Sequence, residues 1–316
     1  MEKFNDFYVI TTYFNPFHNL ERLENYRTFK ENLNLPLITV EWAPDSIFEL
    51  SQTDADHLVQ ISGGDLMWQK ERLLNIALSK LPENCEFVAW IDCDIVFANA
   101  DWHINAKELL KTYNFLQLFD EVNYLSKSIS REFDLEKANF LPYEHTDCSL
   151  SKLIESRLNF DRNKNKVGKD PNYQRGGAAG MALASKASTI RALKFYDGNI
   201  VGGGDSVLFA SLLRTLDDYF SMRDLSVKHQ MDIKEWANQI IAKSYQLGYL
   251  KGSIYHLWHG DLSQRQYLER HLILKNHNYD PKNHIFSDSE NAWSWQNAPK
   301  ELRREISNYM HSRECR

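Results

Sequence analysis

The chain has 316 residues, 43% of them hydrophobic and 25% charged, which is ordinary for a globular protein and ample for a sizeable core. A net charge of −6 and a pI near 6.0, with no long basic run, argue against nucleic acid or an anionic membrane as the main partner. The four cysteines are scattered, the first residues lack a leader pattern and no apolar run reaches membrane length, so the expectation is a reduced, cytoplasmic protein without a transmembrane segment.

Phe7–Tyr13 has the composition of a strand, and Asn15-Pro16-Phe17-His18-Asn19 breaks it into a loop. Leu20, Leu23, Tyr26 and Phe29 follow at roughly helical spacing. Leu37–Trp42 reads as a second strand with Glu41 near its end, and Leu58–Ile61 as a third. After the turn at Gly63-Gly64-Asp65, a helix is expected over Trp68–Leu81, with Leu73, Leu74, Ala77 and Leu78 on its apolar side and Pro82 beyond its end.

The next stretch, Phe87–Phe97 (FVAWIDCDIVF), carries the strongest signal. Its apolar run is that of a central strand buried on both faces. Strand–helix–strand alternation with short connections predicts an α/β fold with a mostly parallel sheet. Alternation along the strand would point Asp92 and Asp94 the same way and Cys93 opposite. Two neighbouring carboxylates at an apolar strand end need neutralising, and a divalent cation such as Mn²⁺ or Mg²⁺ suits paired oxygen ligands. The alternative is a solvated strand end with both acids in water.

Between about residues 126 and 173 the pattern weakens into a polar, turn-rich stretch, read as a mobile insertion or lid. The small-residue run Arg175–Gly180 leads into a strand at Met181–Ala184, where small residues allow close approach of backbone to a ligand. Gly202-Gly203-Gly204-Asp205 opens a helix, and Asp205 is either its N-cap or a functional acid. Ser253–Trp258 is a late strand running into His256-Leu257-Trp258-His259-Gly260. Residues 1–262 are read as one domain and residues 263–316 as a helical C-terminal extension. Trp258, Trp293 and Trp295 could face sugars or simply pack.

Taken in order from about Ile10 to Gly260, these segments resemble the GT-A glycosyltransferases, most specifically the β-1,4-galactosyltransferase-like group. Pro16-Phe17-His18-Asn19 resembles the group's P-F-R-N nucleotide loop, with His18 and Leu20 in place of two arginines. Trp68–Asn75 resembles its F-N-R-A-K-L-L-N helix, Asp92-Cys93-Asp94 its D-V-D, Gly180–Lys186 its G-V-S-A-L-S-K strand, and Gly202–Phe209 its G-G-E-D-D-D-I-F element. Gly204 stands where the group has Glu, and Val201 where it has Trp.

The resemblance implies a Rossmann-like GT-A fold with a mostly parallel central sheet flanked by helices. It also implies transfer of a sugar from a nucleotide-sugar donor, UDP-linked by expectation, to a hydroxyl of a carbohydrate or glycoconjugate, with inversion. By position it implies Asp205 as catalytic base, Trp68 stacking on uracil, and Mn²⁺ (or Mg²⁺) held by Asp94 with Asp92 and one of His259 and His256. Thr11, Tyr13, Pro16, Phe17, His18, Glu41, Lys70, Arg72, Asp92, Cys93, Gly180, Gly203 and Gly204 complete the expected nucleotide-sugar site. A nucleotidyltransferase of related fold is the rival enzyme, though TTYFNPFHN lacks the expected Gly-rich basic loop. A catalytically silent sugar-binding protein is the rival non-enzyme.

Overall fold

A computed structural model describes residues 6–158, 177–260, 266, 269–288 and 290–313. In chain order the elements are β1 (Phe7–Phe14), α1 (Leu20–Glu31), β2 (Leu37–Ala43), β3 (His57–Ser62), α2 (Lys70–Ser79), β4 (Phe87–Ile91), β5 (Ile95–Phe97), α3 (Trp102–Leu109), β6 (Phe115–Gln117), β7 (Glu121–Tyr124), α4 (Lys127–Arg131), β8 (His145–Cys148) and α5 (Leu150–Leu158). Then come β9 (Ala182–Lys186), α6 (Ala187–Leu193), α7 (Gly204–Leu212), α8 (Leu216–Arg223), α9 (Val227–Ile241), β10 (Leu247–Tyr249), β11 (Ser253–His256), α10 (Glu269–Asn276), α11 (Pro281–His284), β12 (Ile285–Phe286), β13 (Ser294–Trp295) and α12 (Lys300–Ser312).

The main sheet has seven strands in the order β10-β6-β9-β4-β1-β2-β3. All run parallel except β9, which is antiparallel to both its neighbours. The fold is therefore α/β with a mostly parallel sheet flanked by helices. Alternation on β4 explains why the strand must be central. Phe87, Ala89 and Ile91 join the core on one face, while Val88 and Trp90 join the core on the other. From β1 the chain moves outward to β2 and β3, then returns to the far side of β1 as β4. Ligands of open α/β sheets gather at such a reversal, off the carboxyl ends of the strands. Because β9 runs backwards, its amino end meets the same edge.

A second sheet, β5-β11-β7-β8, stands at that edge. One expectation changes here. The strand does not continue through Asp92-Cys93-Asp94: β4 stops at Ile91, and the three residues form a turn in which Ile95 N–H donates to Asp92 O (3.2 Å). Strand alternation therefore does not govern where the two acids point. Within the stretch read as an insertion, α4, β8 and α5 lie between residues 127 and 158, and β8 is a member of the second sheet. The remainder of that stretch, 159–173, and Arg175-Gly176 lie outside the described residues.

The C-terminal segment packs Leu274, Tyr279, Leu302, Ile306 and Tyr309 against Met67, Ile200 and Val201. Among the described residues, no helix is long and apolar enough to cross a membrane.

Candidate active site

The turn after β4 and the end of β11 are tied together. Leu257 N–H donates to Asp94 O at 2.9 Å, and His256 pairs with Ile95 across the β5–β11 ladder. This brings Asp94, His256 and His259 together with their ligand atoms within 4.8 Å of one another. His259 Nε2 lies 3.0 Å from Asp94 Oδ2. The rings of His256 and His259 are 5.1 Å apart, and Tyr124 supports His256 from β7 at 5.0 Å. One carboxylate and two imidazoles make a mixed oxygen–nitrogen donor set that fits a borderline cation such as Mn²⁺ better than Mg²⁺.

Asp92 takes a different partner. Its backbone N–H donates to Met181 O at 2.7 Å, and its carboxylate lies 2.6 Å from Lys70 Nζ. The same ammonium is 3.3 Å from Asp205 Oδ2. Lys70 is only 8% exposed. Burial pulls its pKa down, but Asp205, Asp92 and Glu71 together outweigh burial and hold the ammonium above its usual value. Burial pushes the Asp92 carboxyl up to about 6, with Lys70 opposing the rise, and pushes the Glu71 carboxyl up to about 7. Glu71 accepts from the indole N–H of Trp68 at 2.9 Å.

Asp205 sits within the first turn of α7, and the N-cap is Gly203, in the left-handed conformation at φ 98°. Asp205 is thus not the cap. Two glycines leave room for the acids. A Cβ at Gly180 would lie 2.9 Å from Asp205 Cγ and closer still to Oδ2, and one at Gly204 would lie 2.6 Å from Glu71 Cδ. Glu71 fills the space a side chain at position 204 would enter.

The other expected residues divide. Trp68 is half-buried, with Phe14 edge-on at 5.2 Å, Gly202 against its indole, and the Arg313 guanidinium 4.4 Å above its ring. Tyr13 and Cys93 line a small open cleft together with Thr12, Phe14, Arg22, Asn25, Asp94 and His259. Thr11 is fully buried and donates to Ile91 O at 2.6 Å, joining β1 to β4. Glu41 is buried and accepts from the backbone N–H groups of Glu49 (2.6 Å) and Leu50 (3.2 Å) and from Gln60, so it holds that loop in place. His18 is exposed and faces Asp45 (2.8 Å) and Glu49 (3.3 Å). Pro16 is half-buried in the same loop, and Phe17 packs on His311 of α12 at 4.8 Å.

Arg72 turns away from Lys70, because residues two apart on a helix point roughly 200° apart. It donates to Asn291 O (2.8 Å), Ser287 Oγ (3.0 Å) and Asp288 O, and lies under Trp293, anchoring the C-terminal segment. Three residues near these groups escaped the sequence reading: Glu71, Arg22 and Asn25. Arg22 left a faint signal, since a cation in a first helical turn opposes the helix dipole.

No protein-family profile matches the sequence, and no curated protein matches it. Solved structures do show likenesses. S. aureus TarS 1–349 in complex with UDP-GlcNAc is 12% identical over 98% of this chain and 72% of that one, with a TM-score of 0.41. A longer S. aureus TarS chain, of which this chain spans 37%, is 11% identical over 80% of this chain at 0.38. M. tuberculosis glucosyl-3-phosphoglycerate synthase, crystallised with Mn²⁺, UDP-glucose and phosphoglyceric acid, is 11% identical over 86% of this chain and 79% of that one at 0.41. At scores and identities this low, these likenesses decide nothing about the chemistry of the site.

Proposed function

We propose that the chain is a metal-dependent, inverting glycosyltransferase of GT-A type that moves a sugar from a nucleotide-sugar donor, UDP-linked, to a hydroxyl of a carbohydrate or other acceptor. The observation that carries this reading is the meeting of two clusters at one sheet edge. Asp94, His256 and His259 form one, and Asp205, Lys70 and Asp92 form the other. The order of motifs resembling the β-1,4-galactosyltransferase-like group supports it.

Asp94 and the two histidines would hold Mn²⁺, which supplies Lewis-acid stabilisation of the departing diphosphate. Asp205 accepts the proton of the acceptor hydroxyl as its oxygen attacks the anomeric carbon. Lys70 holds the Asp205 carboxylate in place beside Asp92. The acceptor oxygen forms the new bond to the anomeric carbon, and the electron pair of the broken bond leaves with the diphosphate.

The test is incubation of the purified protein with a panel of UDP-sugars, Mn²⁺ and candidate acceptors, scored for UDP release and product. UDP release abolished by chelator and by Asp205→Asn is the expected result. Pyrophosphate release from a nucleoside triphosphate and a sugar phosphate would instead establish the nucleotidyltransferase. Binding of UDP-sugar without turnover, across the acceptor panel, would leave a silent binding protein.

A further inference from the structure

We propose that Arg22 binds the diphosphate of the donor, an assignment that rests on the glycosyltransferase reading and deepens it. Donor and leaving group carry their negative charge on the diphosphate, so a cation beyond the metal is expected to face it. The loop after β1 does not provide one: position 20 is leucine, and His18 is engaged by Asp45 and Glu49. Lys70 belongs to Asp92 and Asp205, and Arg72 to the C-terminal segment.

Arg22 is placed differently. It lines the same cleft as Asp94 and His259, two of the three candidate metal ligands. It is half-buried beside Cys93, and among the described residues its side chain makes no hydrogen bond or ion pair. The adjacent carboxylate, Glu21, is taken by Lys127 (2.9 Å) and Arg131 (2.6 Å). Arg22 also lies in the first turn of α1, where the helix dipole disfavours a cation. A half-buried arginine at an unfavourable helix position, in a cleft with candidate metal ligands, is electrostatically incomplete until an anion arrives. A guanidinium offers a planar fork that two phosphate oxygens fit, and Asn25, whose amide donates to Trp258 O at 2.9 Å, lines the same cleft.

The experiment compares wild type, Arg22→Gln and Arg22→Lys by calorimetric titration with UDP, uridine and inorganic pyrophosphate in Mn²⁺, and with Mn²⁺ alone. Arg22→Gln should weaken UDP by about tenfold to a hundredfold, as loss of a hydrogen bond to a charged group predicts. It should leave uridine and Mn²⁺ binding and the melting temperature unchanged, and Arg22→Lys should recover part of the loss. Equal UDP affinity in wild type and Arg22→Gln overturns the assignment while leaving the glycosyltransferase reading intact. An equal loss for UDP and uridine also overturns it, since the arginine would then serve the nucleoside. If wild type binds no UDP at all, the donor reading fails, and the pyrophosphate arm decides Arg22 separately. Weakened pyrophosphate binding in Arg22→Gln keeps it as an anion-binding residue, and unchanged binding overturns that too.

Discussion

Replacing Gly180 by alanine tests the geometry of the proposed base without touching it chemically. The glycine has no left-handed backbone to lose, so the methyl group itself is the whole perturbation. That methyl would sit 2.9 Å from Asp205 Cγ, where ordinary contacts begin near 3.4 Å, and closer still to Oδ2. The carboxylate oxygen has to retreat by about 1 Å, and a displacement of that size at a reacting group costs about a hundredfold in rate. Retreat is feasible because the Asp205 side chain is 25% exposed, so the overpacking cost should fall at the low end of about 1–3 kcal/mol. The assay is turnover of a UDP-sugar at saturating donor, beside UDP affinity and the melting temperature. Turnover should drop about a hundredfold while UDP and Mn²⁺ affinity hold. Turnover within threefold of wild type would refute the reasoning, because Asp205 would then not need the position it holds. Loss of metal binding together with turnover would point to collapse of the edge instead.

Asp205→Asn should lower turnover by about two to four orders of magnitude with little change in stability, since Gly203, not Asp205, is the N-cap; near-normal turnover removes Asp205 as base. Asp94→Asn should abolish stoichiometric Mn²⁺ binding in calorimetry while the circular dichroism spectrum stays that of wild type, and retained binding would move the metal site elsewhere. Trp68→Ala should weaken UDP by roughly tenfold or more if the base stacks there, whereas Arg313→Ala, by uncovering one face of the ring, should strengthen it about two- to fivefold; an unchanged affinity in Trp68→Ala assigns the ring to packing alone. The fifth prediction concerns acid stability. His229 is fully buried, with neither ring nitrogen hydrogen-bonded among the described residues, and burial holds its pKa down to about 3. The unfolded chain binds a proton below about pH 6.5 that the folded chain refuses, so stability present above that pH is lost as pH falls toward 3. At pH 5 the loss is roughly 2 kcal/mol, and His229→Phe should recover it as a shallower fall in melting temperature between pH 7 and 5; parallel curves would disprove the assignment.

The sheet was legible in the sequence because burial on two faces leaves a continuous apolar run, as at Phe87–Ile91, that few other elements produce. The edge where the strands end was legible for the same reason. What lies on that edge was less so. The turn at Asp92–Asp94 follows from the end of backbone pairing to β9 at Ile91, which no local pattern announces. Lys70 could have been separated from Arg72 by helical spacing alone, but the direction in which α2 faces could not. Its meeting with Asp205 spans 135 positions and depends on Gly180 having no side chain. Glu41 and Thr11 lie on strands that lead to the site, and alternation turns their side chains inward to the loop and the neighbouring strand that they secure.

The strand order has a consequence for how the chain acquires its site. β1, β2, β3 and β4 come from the first 91 residues and form three consecutive pairings of the sheet before β9 can join β4, so this half of the main sheet can form early. The other half must wait, since β6 is flanked by β9 and β10, and β10 ends at Tyr249. The two histidines that face Asp94 arrive later still. On a ribosome, where chains emerge and fold from the amino end, a protein stalled before residue 256 could hold the Asp92–Asp94 turn and yet have no imidazole to complete it. Metal capture would then be a late event in maturation, and a chain that binds the ion has, by that act, joined its first third to its last quarter.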